Sequence, residues 1–369
     1  MRIINIVGAR PNIVGARPNF MKIAPLVAEM RRFPIIEPLL IHTGQHYDTN
    51  MSGRFFEELD IPMPDYSLGI GSGSHTWQTA QIMLALEPLL NDVRPDMTVA
   101  VGDVNSTMAA ALVAAKMHIP LAHVEAGLRS FDRTMPEEIN RVVTDSLADF
   151  LFTTERSANE NLKNEGVPEN KIHFVGNVMI DTLLRYRQHI DARNITDRFG
   201  VTPRNYALLT LHRPSNVDVA ETLSGIMDAL ADIQKKLPVL FPLHPRTRQR
   251  IVETGLFERA RDLANLKLLE PLGYLEFLGL MTQAKLVMTD SGGVQEETTI
   301  LGIPCLTLRE NTERPVTITE GTNELVGSQA ERIVAGVHRI MNGKTGISQH
   351  PELWDGHASE RIVNVLLGH

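Results

Sequence analysis

Residues 286–304 read LVMTDSGGVQEETTILGIP. An apolar strand ends at Thr289 and Asp290, Ser291-Gly292-Gly293 makes a tight turn, and the run from Val294 to Leu301 has the composition of a helix. A second apolar run, PCLTL, begins at Pro304. Strand, turn, helix and strand in this order form the repeating unit of a parallel sheet covered by helices. Free amides at the helix start, with no side chains at the two glycines, suit a phosphate. Glu296 and Glu297 follow in the first turns, where one carboxylate is placed to accept hydrogen bonds from ribose hydroxyls. The same residues also fit a plainer reading, with Ser291 as N-cap and acidic residues favouring the helix dipole.

The unit recurs in both directions. Upstream, RIINIV, PLLIHT, MTVAVGD, PLAHVEA and FLFTTE are strand-like and end in polar residues, with helical patterns between them at 21–32 and 106–117. A second series follows IHFVGNVMIDTLL, with strands YALLTLH, PVLFPLH, LKLLEP, LVMTD and PCLTL and a helix over 220–236. At 369 residues the chain exceeds the size of one core. The expectation is therefore α/β, with two Rossmann-like domains of parallel strands, 1–176 and 177–356, hinged near Gly176. The last stretch, 357–369, is an amphipathic helix expected to return to the first domain. Ligands of open parallel sheets sit at the carboxyl ends of the strands, so a cleft between the two edges is the expected site.

Composition narrows the function. With 36 Lys and Arg against 44 Asp and Glu, the net charge is -8, which argues against a nucleic-acid surface. Apolar residues make up 43% and charged residues 22%, as in ordinary globular proteins. The single cysteine, Cys305, rules out an intrachain disulfide and a cysteine-rich metal site, and its apolar surroundings predict a buried thiol. No signal peptide is evident, and the most apolar long segment, 108–124, carries Lys116, His118, Pro120 and His123. These features predict a cytoplasmic protein with no membrane partner.

Charged residues gather at the strand ends. VGDVNST places Asp103 before a Ser/Thr-capped helix, HVEAGLRSFD places Glu125 at the next edge, and MPEEINR adds Glu137, Glu138 and Arg141. Neighbouring carboxylates push one another's proton affinities apart, which suits acid and base work. TLHRP and FPLHPRTR end two strands of the second series with His212-Arg213 and His244-Arg246, groups that suit a diphosphate, although a histidine in such a place commonly only caps a loop. GIGSGSH, from Gly69, lacks the spacing of a dinucleotide fingerprint and reads as a flexible loop.

Together GARPNFMKIAPL, TGQHYD, GDVNSTMAAALVA, HVEAGLRS, PEEINR, GNVMIDTL, DSGGVQEE and ERPVTITEGTN resemble the non-hydrolysing UDP-N-acetylglucosamine 2-epimerases along nearly the whole chain. The resemblance implies a glycosyltransferase-B arrangement with a nucleotide sugar between the domains, and a homodimer. It implies inversion at carbon 2 of the sugar by elimination of UDP to 2-acetamidoglucal and re-addition, with no nicotinamide, other cofactor or metal. Carried over by motif, Asp103, Glu125, Glu137 and His212 are the catalytic residues. Arg17, Lys22, Arg141 and Arg314 contact substrate. Ser291, Gly292 and Gly293 hold the UDP phosphates, and Glu297 binds the ribose.

Two departures stand out. Members with an activating second substrate site carry a Gln-His-Arg-Gln-like stretch, whereas this chain has QHYD, with Gln45 retained and Asp48 in the last place. The second departure is a perfect heptapeptide duplication: residues 6–12 recur without a gap as 13–19. Only the second copy runs without interruption into KIAPL, which selects Arg17 and Lys22 over Arg10. Keeping 2–7 as the strand avoids placing Pro11 in a central strand. Close relatives act on other UDP-2-acetamido sugars, including diacetamido uronic acids. Glycosyl transfer, hydrolysing epimerisation and nucleotide-sugar binding without turnover remain the competing readings.

Overall fold

A computed structural model describes residues 1–8, 17–44, 63–191, 195–344 and 349–368. The chain forms two compact units. One combines the described residues up to Arg185 with those from Glu352 onward, and the other covers the described residues of Tyr186–Pro351. The division falls within the helix Val178–Asp191, beyond the Gly176 position suggested by sequence.

The first unit is a parallel sheet in the order β3-β2-β1-β4-β5-β6-β7. Its strands are β1 (Arg2–Val7), β2 (Glu37–Gly44), β3 (Tyr66–Ile70), β4 (Met97–Val101), β5 (Leu121–Ala126), β6 (Phe150–Thr153) and β7 (Ile172–Phe174). β4 and β5 are buried at every position, as strands covered on both faces must be. The order reverses direction between β1 and β4, which pair from Ile3↔Met97 to Ile6↔Ala100. Loops that leave the carboxyl ends of such a pair diverge to opposite faces and open a crevice. Helices α1 (Arg17–Met30), α2 (His75–Val93), α3 (Asn105–Lys116) and α4 (Pro136–Leu147) follow β1, β3, β4 and β5.

The second unit repeats the plan in the order β10-β9-β8-β11-β12-β13. Here β8 is Ala207–Thr210, β9 Val239–Pro242, β10 Leu266–Leu269, β11 Leu286–Thr289, β12 Cys305–Thr307 and β13 Asn323–Leu325. The reversal lies between β8 and β11, in register from Leu286↔Ala207 to Thr289↔Thr210. Two helices matter below, α5 (Tyr274–Gln283) and α6 (Gly292–Leu301). Cys305 is buried in β12, and burial pushes its thiol up to about 12, leaving it protonated and unreactive at neutral pH.

The last helix, α7 (Ala358–Leu367), belongs to the first unit. Asp181 caps its start, accepting from the amides of Ala358 at 3.1 Å and Ser359 at 2.7 Å and from the Ser359 hydroxyl at 2.6 Å. The indole of the buried Trp354 donates to the Thr154 carbonyl at 2.8 Å, fixing the approach to that helix. Among the described residues no helix is long and apolar enough to cross a membrane.

Two local expectations are corrected. The glycine-rich stretch from Gly69 is not simply a loop, because Gly69 and Ile70 end β3 and Ser74 caps α2, its hydroxyl accepting from the Trp77 amide at 3.2 Å. Ser291-Gly292-Gly293 is not a separate turn either: Ser291 is the N-cap and both glycines are already helical. Glycine costs backbone entropy in a helix, but in the first turn it leaves the unpartnered amides uncovered by side chains.

Candidate functional site

In the first unit, the candidate residues converge on the carboxyl ends of β4 and β5. Gly102 follows β4 with φ of 73°, a left-handed conformation that spares the chain a Cβ. A Cβ there would lie 2.7 Å from Asn19 Oδ1 and 3.2 Å from Lys22 Nζ, so the glycine lets α1 close on the turn. Asp103 comes next. Its carboxylate receives Arg141 Nε at 3.1 Å and a second guanidinium nitrogen at 2.6 Å, while its carbonyl accepts from Asn140 at 2.8 Å. Arg141 and Asn140 sit one turn into α4, the helix that also carries Glu137.

Glu125 is the most constrained of these residues. Its φ is 75°, uncommon and costly for a side chain with a Cβ, and the β5–β6 register shifts between Val124 and Ala126 around it. A bulge of this kind re-aims a side chain. The buried Glu125 carboxylate forms an ion pair with the equally buried ammonium of Lys22 from α1. A cation and a carboxylate are thus fixed beside the Gly102–Asp103 turn, and a second such pair is formed by Arg141 and Asp103.

The adjacent glutamates of PEEINR are separated by environment. Glu138 is buried and accepts from the amides of Ser130 and Phe131, both at 2.9 Å, and from Arg141 at 2.7 Å, so it braces the loop before α4. Glu137 lies in the same first turn but is only half-buried. That placement leaves Glu137 the more accessible of the two.

Residues outside the recognised roles complete this region. His123 is wholly buried, with Nδ1 2.6 Å from Asp145 and Nε2 2.8 Å from the Gly102 carbonyl. Asp145 also accepts from the Gly127 amide at 3.0 Å and pairs with Arg129 at 2.7 Å. Burial works against the Asp145 charge, yet His123 and Arg129 hold its carboxyl below the usual range. This network joins the turn before Asp103 to the strand end after Glu125. Its only sequence signal is polar His123 inside an apolar strand.

In the second unit, His212 follows β8 and Asp290 follows β11. His212 Nδ1 is 2.9 Å from Asp290, whose carboxylate also accepts the amides of His212 at 3.0 Å and Arg213 at 2.9 Å. Burial alone would raise the Asp290 carboxyl, but the His212 ring and these donors outweigh it and hold the group down to about 2. Asp290 therefore fixes which way the imidazole faces. The ring of His244 lies 5.8 Å from that of His212, but His244 Nδ1 accepts the Arg246 amide at 3.1 Å and caps the following helix. His244 thus has the capping role, and Arg246 is bound by Asp218.

Gly292 and Arg314 meet closely. A Cβ on Gly292 would lie 2.6 Å from an Arg314 guanidinium nitrogen. Arg314 donates Nε to Glu296 at 2.6 Å and Nη1 to Glu313 at 2.5 Å, while Arg309 donates to Glu313 at 2.7 Å. The cation is thereby held against the start of α6, where backbone amides already favour an anion. Glu297 is buried in the same helix and accepts the Tyr274 hydroxyl at 3.0 Å. The structure thus gathers Lys22, Asp103, Glu125 and Arg141 in one unit, with Glu137 on the helix that carries Arg141. It gathers His212, Ser291–Gly293, Glu297 and Arg314 in the other. Arg17 opens α1, but its side chain, like Arg10, Gln45 and Asp48, lies outside the described residues. Among the described residues no cluster of three or more His, Cys, Asp or Glu side chains is placed to hold a metal.

Known proteins match this chain along nearly its whole length. A family model described as UDP-N-acetylglucosamine 2-epimerase matches residues 28–367. The chain is 46% identical over 368 residues to a UDP-N-acetylglucosamine 2-epimerase homolog of Methanococcus maripaludis, covering 99% of each chain. It is 42% identical over 371 residues to the UDP-2,3-diacetamido-2,3-dideoxy-D-glucuronate 2-epimerase of Pseudomonas aeruginosa, again covering 99% of each. Among solved structures, the Methanocaldococcus jannaschii UDP-GlcNAc 2-epimerase in complex with UDP-GlcNAc and UDP matches with a TM-score of 0.90 and 42% identity, covering 100% of each chain. The chain belongs to the UDP-N-acetylglucosamine 2-epimerase family.

Proposed function

We propose that this chain is an isomerase that interconverts UDP-N-acetylglucosamine and UDP-N-acetylmannosamine. The observation that carries the reading is Glu125, held in a left-handed bulge beside Lys22 and next to the Asp103–Arg141 pair. Strain of this kind is retained where a carboxylate must face a ligand. A base removes the carbon 2 proton while the carbon 1–oxygen bond breaks, and UDP leaves with the bonding electrons. The product of this half-reaction is 2-acetamidoglucal. UDP then adds back to carbon 1 and a proton reaches carbon 2 from the opposite face, so protons and electrons balance without a redox cofactor.

In this scheme Asp103, Glu125, Glu137 and His212 divide the acid and base work. Arg17, Lys22, Arg141 and Arg314 hold the substrate and stabilise the departing diphosphate. Ser291, Gly292 and Gly293 hold the UDP phosphates, and Glu297 holds the ribose. Such preorganised cations act most strongly where charge develops.

The test is proton NMR in heavy water. Exchange at carbon 2 and the same mixture from either epimer, with no acceptor and no released free sugar, are expected. Absence of exchange overturns the reading, and free sugar or acceptor dependence assigns hydrolysis or transfer instead. A second substrate, a UDP-2,3-diacetamido uronic acid, is favoured by the P. aeruginosa relative. A panel of both sugars decides between them by kcat/KM. The homodimer implied by the resemblance and the cytoplasmic location expected from the sequence features are tested by sedimentation and by cell fractionation.

A further inference from the structure

Glu296 and Glu297 are neighbours on α6, both buried, yet they are held by different chemistry. Glu296 accepts Arg314 Nε at 2.6 Å, an ion pair. Glu297 accepts a neutral donor, the hydroxyl of Tyr274, at 3.0 Å. Tyr274 is the first residue of α5 and is 2% exposed, so the phenol is held by packing as well as by this bond. The phenol supports one oxygen of the Glu297 carboxylate and so restrains the rotation of the group.

We propose that Tyr274 is the positioning residue for sugar-ring recognition in the nucleotide: it orients Glu297 so that the carboxylate accepts both hydroxyls of the ribose, and thereby sets the preference for ribo- over 2′-deoxyribonucleotides. This rests on the reading of Glu297 as the ribose carboxylate. A vicinal diol presents two O–H donors at nearly fixed separation, and accepting both requires a particular carboxylate rotation. Losing this bond removes one restraint on the carboxylate's rotation, and the donor furthest from its ideal line is weakened first. The effect therefore belongs to binding of the ribose and acts on substrate and UDP alike.

The experiment compares UDP with 2′-deoxy-UDP by calorimetry on the intact protein, for the parent, Tyr274→Phe, Glu297→Ala and the double variant. Phenylalanine keeps the packed ring, and thermal melting checks that each variant is folded. In Tyr274→Phe, UDP affinity is expected to fall about three- to tenfold, the worth of one ordinary hydrogen bond. Binding of 2′-deoxy-UDP should change by less than this, so that the ribose preference collapses. KM should rise by more than kcat falls, and the double variant should match Glu297→Ala. If Tyr274→Phe weakens both nucleotides equally, or leaves the preference intact while Glu297→Ala removes it, Tyr274 has no such role. If Glu297→Ala itself leaves the preference intact, the underlying assignment of Glu297 is what fails.

Discussion

At the scale of single residues, Asp290 ties folding to the candidate chemistry. Its folded carboxyl lies near 2, below the value of about 3.9 for an unpaired aspartate. A depressed carboxyl stabilises the fold above its unfolded value, and that stability is lost as pH falls through the folded one. The contribution, about 2–3 kcal/mol, is therefore complete above roughly pH 5 and disappears toward pH 2 and below. Asp290→Asn should show its largest loss of stability near neutral pH, with the gap to the parent narrowing as denaturation is repeated between pH 4 and 2. A gap constant across that range would show that the residue acts through packing alone. Turnover should fall as well, because the amide no longer pairs with His212. Gly292 makes a different case, since its backbone is ordinary helix and space is what matters. Gly292→Ala would improve helix propensity yet drive its methyl into Arg314. Melting temperature should change little while UDP affinity drops about tenfold or more, and an unchanged affinity would place Arg314 outside the phosphate site.

At the scale of elements, the strand-turn-helix units were legible because a polar residue closes each apolar run. The strand ends at Asp103, Glu125, His212 and Asp290 follow that pattern. The edge strands β3, β7 and β13 were not, because they are short and partly exposed and so lack a continuous apolar signature. Nor was the partnership of His212 with Asp290, which are 78 residues apart and meet only because β8 pairs with β11. The duplicated heptapeptide can now be argued from its two ends. β1 ends at Val7 and α1 starts at Arg17, yet the Asn19 side chain donates its Nδ2 to the Gly8 carbonyl at 3.3 Å. Those anchors are close enough in space for four residues to span. Deleting residues 8–14 leaves a Gly-Ala connection and Asn19 four places after the glycine, within the usual range for such turns. The shortened protein should fold, melt no lower than the parent, and match or exceed its turnover. In the parent, Arg17→Ala should abolish activity and Arg10→Ala should not. The opposite pair of results would make the first copy the working one.

At the scale of the whole molecule, the two units hold different halves of the proposed chemistry. The strand-end carboxylates Asp103 and Glu125, with Glu137 at the start of α4, belong to the first unit. The helix start at Ser291–Gly293, Glu297 and Arg314 belong to the second. If UDP is held chiefly by the second set, nucleotide binding and proton transfer should separate under mutation. A ligand present at a hundred times its dissociation constant stabilises the folded state by about 2.7 kcal/mol, enough to raise the melting temperature of a unit of this size by roughly 5–10 °C. Asp103→Asn, Glu125→Gln and Glu137→Gln should each keep most of the UDP-induced rise while losing about a hundredfold or more in turnover, as expected for groups that move protons. Arg314→Ala should lose the rise itself. Scanning calorimetry with and without UDP, run beside the exchange assay on the same four proteins, makes the comparison direct. Loss of the thermal shift in the carboxylate variants would mean that those residues bind nucleotide, and normal turnover in all three would remove them from the mechanism.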